Sequence, residues 1–203
     1  ADGKKFNLLA FFELIGLRPV QLILLMSVGI FFINHSLNNW LPEILVSRGL
    51  DRVAAGYWAS IPSIIGILGA LIIPRLAVPK YRLSVMAGLF IATFTASLLL
   101  QTDAGPLMFM GLCIQGLARG SMMTVAILIL METPKVPADR LGLAGGLFFT
   151  VAEIGGVLGP VSFGILSDLT GSFAPSLALV TTISATLILV LIALHHVTPK
   201  QYQ

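Results

Sequence analysis

The chain has 203 residues, of which 57% are hydrophobic and 10% are charged, and its formal net charge is +3. Its mean hydropathy is +0.98. Because a soluble domain carries about 25% charged residues, this composition excludes a soluble enzyme, a nucleic-acid binder and a disordered chain, and it indicates an integral membrane protein.

Six apolar segments are long enough to cross a bilayer, since a hydrocarbon core of about 30 Å needs about 20 helical residues. The predicted spans are about 20–45, 53–74, 83–100, 107–130, 141–165 and 176–195. Short connections rich in Gly, Pro and Asp, including 167–175, separate them. The sequence therefore predicts an all-α membrane protein with a six-transmembrane-helix bundle.

The two ends of the chain lie outside these spans. Residues 1–19 include FNLLAFFELIGLRP (6–19), which predicts a short interfacial helix or linker lying on the membrane. Residues 196–203 are expected to be a short tail. The chain begins with Ala1 rather than Met, so we expect it to be a piece of a longer protein or a processed chain.

The distribution of Lys and Arg predicts the orientation, because cytoplasmic loops are enriched in both. Of the twelve, nine fall on the side of the two termini, two fall on the other side, and Arg119 lies within a span. The nine are Lys4, Lys5, Arg18, Arg75, Lys80, Arg82, Lys135, Arg140 and Lys200, and the two are Arg48 and Arg52. We therefore expect a multi-pass protein of the plasma (inner) membrane with both termini in the cytoplasm.

Polar side chains are concentrated in four of the six spans. The first, second, fourth and fifth spans carry amides, aromatic hydroxyls or charges, whereas the third and sixth contain no ionisable group in their apolar core. Because a polar group in hydrocarbon costs several kcal/mol unless it is paired or hydrated, we expect the four to face a polar interior. The other two are expected to face lipid or to be purely structural.

Arg119 and Glu153 are the charges expected deepest in the membrane. Arg119 lies about 19 Å from the outer end of its span and Glu153 about 18 Å from the inner end of its own. An ion pair between them is therefore possible. Arg119 is a candidate anion-binding or gating cation and Glu153 a candidate protonatable carboxylate, although a static buried pair would also explain both.

Further polar residues make up the rest of the candidate site. Gln115 shares a helix face with Arg119, and Asn34 shares one with Asn38, because each pair is four residues apart. His35 could titrate near neutral pH or simply be hydrated. Tyr57 is either a site residue or part of an interfacial aromatic belt. Gln115 could equally make an ordinary hydrogen bond between helices.

The fifth span also has a pattern of small residues and a proline. Gly155 and Gly159 are four residues apart, which lets another helix pack closely. Pro160 removes a backbone hydrogen bond and is expected to kink the helix. With Gly146 and Gly164, these residues indicate a gating element, or else tight packing without motion.

This pattern, Gly146-x8-Gly155-x3-Gly159-Pro160-x3-Gly164, resembles the glycine-proline antiporter motif of the major facilitator superfamily. In that family the motif is usually described in span five, the pseudo-symmetric partner of span eleven. Phe163 stands here where the family has the first of two final glycines. The chain as a whole resembles the C-terminal half of such a transporter, spans seven to twelve.

Three other cues carry the resemblance. Segment 69–82 resembles the motif that the family repeats between spans eight and nine, although the expected aspartate is missing. Asn39-Trp40-Leu41-Pro42, followed by Arg48-Gly49-Leu50, resembles the end of span seven in several anion-transporting branches. Arg119 resembles, by pseudo-symmetry, the buried arginine of span four.

The resemblance implies a secondary transporter that works by rocker-switch alternating access and needs no cofactor. Spans seven, eight, ten and eleven would line its cavity, and an N-terminal half of about 200 residues would complete it. We expect a small organic solute, with an anion favoured by Arg119 and proton coupling through Glu153. A drug/proton antiporter is the alternative within transport.

Other classes of protein remain open at the level of sequence. A six-span scaffold or sensor would need no central charges, and a six-span protein that dimerises would rebuild a twelve-span cavity from two copies. A membrane enzyme is the least favoured, since the chain shows no nucleophile, metal or cofactor constellation.

Overall fold

The computed structural model describes residues 8–134 and 136–198. Lys4, Lys5, Lys135 and Lys200, which entered the orientation count, lie outside the described residues. The helices are α1 (Leu8–Ile15), α2 (Arg18–Ser47), α3 (Arg52–Leu76), α4 (Arg82–Leu99), α5 (Pro106–Met131), α6 (Leu141–Thr170) and α7 (Ala174–Val197). Short 3-10 turns at Pro79–Tyr81 and Ala138–Arg140 precede α4 and α6.

Helices α2 to α7 are the six predicted spans, and each is long and apolar enough to cross a membrane. Most ends differ from the prediction by one or two residues, but α6 continues to Thr170, so much of the predicted connection 167–175 is helical. The helix ends where Gly171 adopts a left-handed conformation, φ +67°. That conformation suits glycine and terminates helices, whereas the polar residues just before it do not break the helix.

Helix α2 lies at the centre of the bundle. Residues all along it, from Val20 to Leu45, are fully buried, and it packs against α6 and α7 while α4 packs between α5 and α7. Helix α3 is the least covered, since only Ala55, Pro62 and Gly69 are buried along it. Large apolar side chains are exposed on α3 and α6, which suits lipid or another apolar protein surface.

The two closest helix pairs are parallel and are built on small residues. In α3 and α5, a Cβ on Gly116 would lie 2.5 Å from Pro62 O, and one on Gly69 would lie 2.5 Å from Leu117 O. In α2 and α6, a Cβ on Gly159 would lie 2.5 Å from Phe32 O. The absence of a Cβ therefore allows the backbones to touch in both pairs. Helices α2, α3, α5 and α6 are also the four that carry most of the candidate site.

Candidate functional site

Arg119 is held by an amide and not by a carboxylate. It lies near the middle of α5, and its Nη2 donates a hydrogen bond of 3.1 Å to Asn38 Oδ1 on α2. Within the described ranges the ion pairs are Arg82–Glu132 and Arg140–Glu13. The ion pair between Arg119 and Glu153 that the depths allow is therefore not formed, and the guanidinium charge has no described counter-ion.

Unpaired amides lie one helical turn from this contact. Gln115 is 2% exposed, and neither its Oε1 nor its Nε2 has a hydrogen-bond partner; Asn34 Oδ1 is also buried without one. Because α2 and α5 cross the bundle in opposite directions, Asn34 and Gln115 lie on opposite sides of the Arg119–Asn38 contact. We call Asn34, Asn38, Gln115 and Arg119 the polar row. Because buried amides without partners are costly, the polar row suits a bound water or a polar solute.

Glu153 approaches His35 on α2. Both side chains lie beside Gly156. A Cβ added to Gly156 would lie 2.8 Å from Glu153 Oε2 and 3.3 Å from His35 Nδ1. The imidazole stacks on Phe31, with ring centroids 5.4 Å apart and planes 18° apart. Two predicted site residues from different helices therefore converge on one glycine.

The predicted glycines differ in their surroundings. Gly155 and Gly159 lie directly against the α2 backbone at Val28 and Phe32, and a Cβ on Gly164 would lie 3.2 Å from Trp40 Cζ2. A Cβ on Gly146 would meet nothing within 4 Å. The close packing expected of the motif therefore does not extend to Gly146 in this structure.

Trp40 ties α2 to the proline of α6. Its Nε1 donates a hydrogen bond of 2.9 Å to Pro160 O, and its ring packs against Phe173 at a centroid distance of 5.7 Å. An open groove of about 420 Å³ borders the contact and is lined by Asn39, Trp40, Glu43, Pro160 and Val161. The sequence places Trp40 in the Asn39-Trp40-Leu41-Pro42 cue without a partner, and its indole N–H donor is the one clue to such a contact.

Tyr57 does not join the polar row. It lies in the second turn of α3 and is 74% exposed. Among the described hydrogen bonds, the one made by this residue runs from Ser60 Oγ to the Tyr57 backbone carbonyl. Its side chain is therefore available to lipid, solvent or a second protein surface.

Two ion pairs at the helix ends were not predicted. Arg82, 7% exposed, pairs with Glu132 and donates from Nε to Ala77 O at 2.9 Å, and Arg140 pairs with Glu13 of α1. A cavity of about 430 Å³ lies beside Arg82, between the ends of α4, α5 and α7. This cavity is remote from the polar row, because Glu132, which lines it, lies about 20 Å further along α5 than Arg119.

Comparisons with known proteins agree with this architecture. The family model of the Major Facilitator Superfamily matches residues 2–160. An uncharacterized MFS-type transporter of Methanocaldococcus jannaschii is 26% identical over 84% of this chain and 44% of its own length. The probable galactarate/D-glucarate transporters GudP of Escherichia coli and Bacillus subtilis are 25% and 28% identical, over 73% and 70% of this chain and 36% and 32% of theirs.

A solved structure gives the same fold. The POT family transporter PepTSo, in its in meso crystal structure, superposes with a TM-score of 0.72 at 12% identity, over 90% of this chain and 38% of that one. The chain spans less than half the length of these relatives. The family match covers most of the sequence, and the chain belongs to the Major Facilitator Superfamily of transporters.

Proposed function

We propose that this chain is one half of a secondary carrier that moves a small organic anion across the plasma membrane by alternating access. The observation that carries the proposal is Arg119, a cation in the middle of the bundle whose described partner is the neutral amide of Asn38. An arginine within a membrane span is costly and is a functional candidate by default. A bound carboxylate would supply the missing negative charge.

The surrounding groups favour a carboxylate that also carries hydroxyls. A guanidinium binds a carboxylate through two parallel hydrogen bonds. The unpaired amide of Gln115 can donate to and accept from hydroxyl groups, and the unpaired Oδ1 of Asn34 can accept from them. Two relatives are named for galactarate and D-glucarate. Both compounds are polyhydroxy dicarboxylates, so we propose this substrate class.

Alternating access requires a second six-helix half, which we propose precedes this one in the same protein. The curated relatives are more than twice as long as the part they share with this chain. Exposed apolar side chains on α3 and α6 would face that half or the bilayer lipid. Substrate would bind near the midplane between the halves, with both termini of this segment in the cytoplasm.

Proton coupling is proposed to run through Glu153. We expect Glu153→Gln in the full-length protein to keep measurable exchange of labelled substrate but to lose accumulation driven by a pH gradient, because a glutamine cannot bind and release the proton. Unchanged gradient-driven accumulation would remove Glu153 from the coupling mechanism.

A drug/proton antiporter is the second candidate. It is favoured by the Gly159-Pro160 motif and by Glu153, whose carboxylate has no ion-pair partner in the described chain. A cationic substrate would then bind Glu153 itself. Uptake assays with galactarate and with a lipophilic cation separate the two candidates, because each predicts a different transported charge.

The direct test of the anion proposal is galactarate binding to the full-length carrier and to its Arg119→Gln variant. Loss of the guanidinium should weaken binding about 10- to 150-fold, since a hydrogen bond to a charged group contributes about 1.5–3 kcal/mol. Arg52→Gln, at the exposed start of α3, is the matched control. Binding within a few-fold of the wild type in the Arg119 variant would make Arg119 structural.

A further inference from the structure

We propose that His35 and Glu153 together form one proton-binding site, shared between α2 and α6 and kept open by Gly156. The inference rests on the proposed function, because it says which residues bind the coupled proton and how the anion affects them. Its core observation is the convergence of a carboxylate and an imidazole from two helices on the same glycine.

A side-chain contact one turn earlier on the same two helices is consistent with the pairing. Helices α2 and α6 run parallel, and Phe31 contacts Phe149 with ring centroids 6.3 Å apart. His35 lies four residues after Phe31, and Glu153 lies four residues after Phe149, which is one helical turn further along each helix. The helical repeat therefore places His35 on the same face of α2 as Phe31, and Glu153 on the same face of α6 as Phe149.

The space between the two groups suits a shared proton. Both approach the same point beside Gly156 within 3.3 Å, yet no described hydrogen bond or ion pair joins them directly. These two distances place Glu153 Oε2 and His35 Nδ1 at most about 6 Å apart, close enough for one water molecule to bridge them. A proton on either group, or on a bridging water, would be stabilised by the other.

The surroundings of the pair differ on its two sides. Phe31, 6% exposed, and Phe149, 41% exposed, are in contact on the side nearer the start of α2. On the other side, the groove beside Trp40 and Pro160 is open. Glu153 is itself exposed on α6, so protons would reach the pair from the open face of that helix.

The ionisable groups nearest the pair come from α2 and α5. On α2 they are His35 itself and Glu43, which lines the groove, and on α5 the nearest is Arg119. The described part of α7 has only His195 and His196, in its last turn and far from the pair. Arg119, bonded one turn beyond His35, is thus the fixed charge that opposes protonation.

Coupling follows from this arrangement. An anion bound at Arg119 cancels the positive charge that opposes proton binding, and by linkage a bound proton strengthens anion binding by the same factor. The pair would therefore bind a proton and an anion together, which is the requirement for symport. Galactarate affinity should rise by up to about tenfold per unit fall in pH across the titration range.

The experiment uses the full-length carrier. Galactarate binding is measured between about pH 5 and about pH 8 in the wild type and in Glu153→Gln and His35→Gln, with Asp168→Asn and His196→Gln as matched controls at the ends of α6 and α7. Both site variants should flatten the pH dependence, and both controls should retain it. A pH dependence unchanged in His35→Gln would overturn the shared site.

A second measurement does not depend on the substrate. The nitrogen NMR signal of the His35 imidazole is assigned as the signal that is lost in His35→Gln. This signal is then titrated with pH in the wild type and in Glu153→Gln. Removal of the carboxylate should displace the titration midpoint by more than about 0.5 pH units. An unmoved midpoint refutes the pairing even where galactarate binds, whereas a moved midpoint without galactarate binding refutes only the proposed substrate.

Gly156 offers a steric test of the same site. A Cβ there would lie 2.8 Å from Glu153 Oε2 and 3.3 Å from His35 Nδ1, so Gly156→Ala must displace both groups. It should flatten the pH dependence as the site variants do, while Gly145→Ala, which meets nothing within 4 Å, should leave it intact. Equal behaviour of the two alanine variants would contradict the role of Gly156.

Discussion

Substitution of Gly159 by alanine tests the contact between α2 and α6. The new Cβ would lie 2.5 Å from Phe32 O, 2.5 Å from Ser36 Oγ and 3.1 Å from Phe32 Cα. An ordinary contact begins near 3.4 Å, so the helices must separate by about 1 Å. Overpacking of this kind costs about 1–3 kcal/mol, because the obstacle is backbone and cannot rotate away.

The assay is thermal unfolding of the full-length carrier in detergent. A loss of about 2 kcal/mol should lower the Tm of a carrier of about 400 residues by about 2–3 °C. Gly145→Ala is the control on the same helix, since its Cβ meets nothing within 4 Å and alanine favours a helix over glycine. Equal Tm values for Gly159→Ala and Gly145→Ala would refute the close approach of the two helices.

Three further predictions concern contacts outside the polar row. Trp40→Phe removes the hydrogen bond to Pro160 O and should lower stability by about 1 kcal/mol, measured as a lower Tm than in Trp58→Phe. Arg82→Met removes the partner of the half-exposed Glu132 carboxylate and the donor to Ala77 O and should cost about 1 kcal/mol; a Tm equal to that of the wild type would contradict this. Tyr57→Phe should change stability by less than about 0.5 kcal/mol, because the side chain is exposed, and a large fall in Tm would show a contact that the hydroxyl makes elsewhere.

The helices could be predicted from the sequence because hydropathy and length decide them. A run of about 20 apolar residues must satisfy its own backbone hydrogen bonds in lipid, and the six spans follow from that requirement alone. The one large difference is the extension of α6 to Thr170, because Asp168 in the segment 167–175 favours a turn by residue type alone. The helix instead continues to the first glycine that can adopt a positive φ.

The arrangement of the site was harder to predict because position along a helix gives depth but not direction. Arg119 and Glu153 lie at overlapping depths, yet Arg119 contacts Asn38 while Glu153 lies near His35. The four-residue spacings within one helix could be read directly. Which helix faces which depends on the packing of the whole bundle, and that is not local in sequence.

The central claim is that Arg119 binds a transported anion whose uptake is driven by protons. The most direct measurement is galactarate uptake by the full-length protein in proteoliposomes, with and without an imposed pH gradient, for the wild type, Arg119→Gln and the control Arg52→Gln. We expect gradient-dependent uptake in the wild type and the control and none in Arg119→Gln. Galactarate uptake that persists in Arg119→Gln, or transport of cations alone, would contradict the claim.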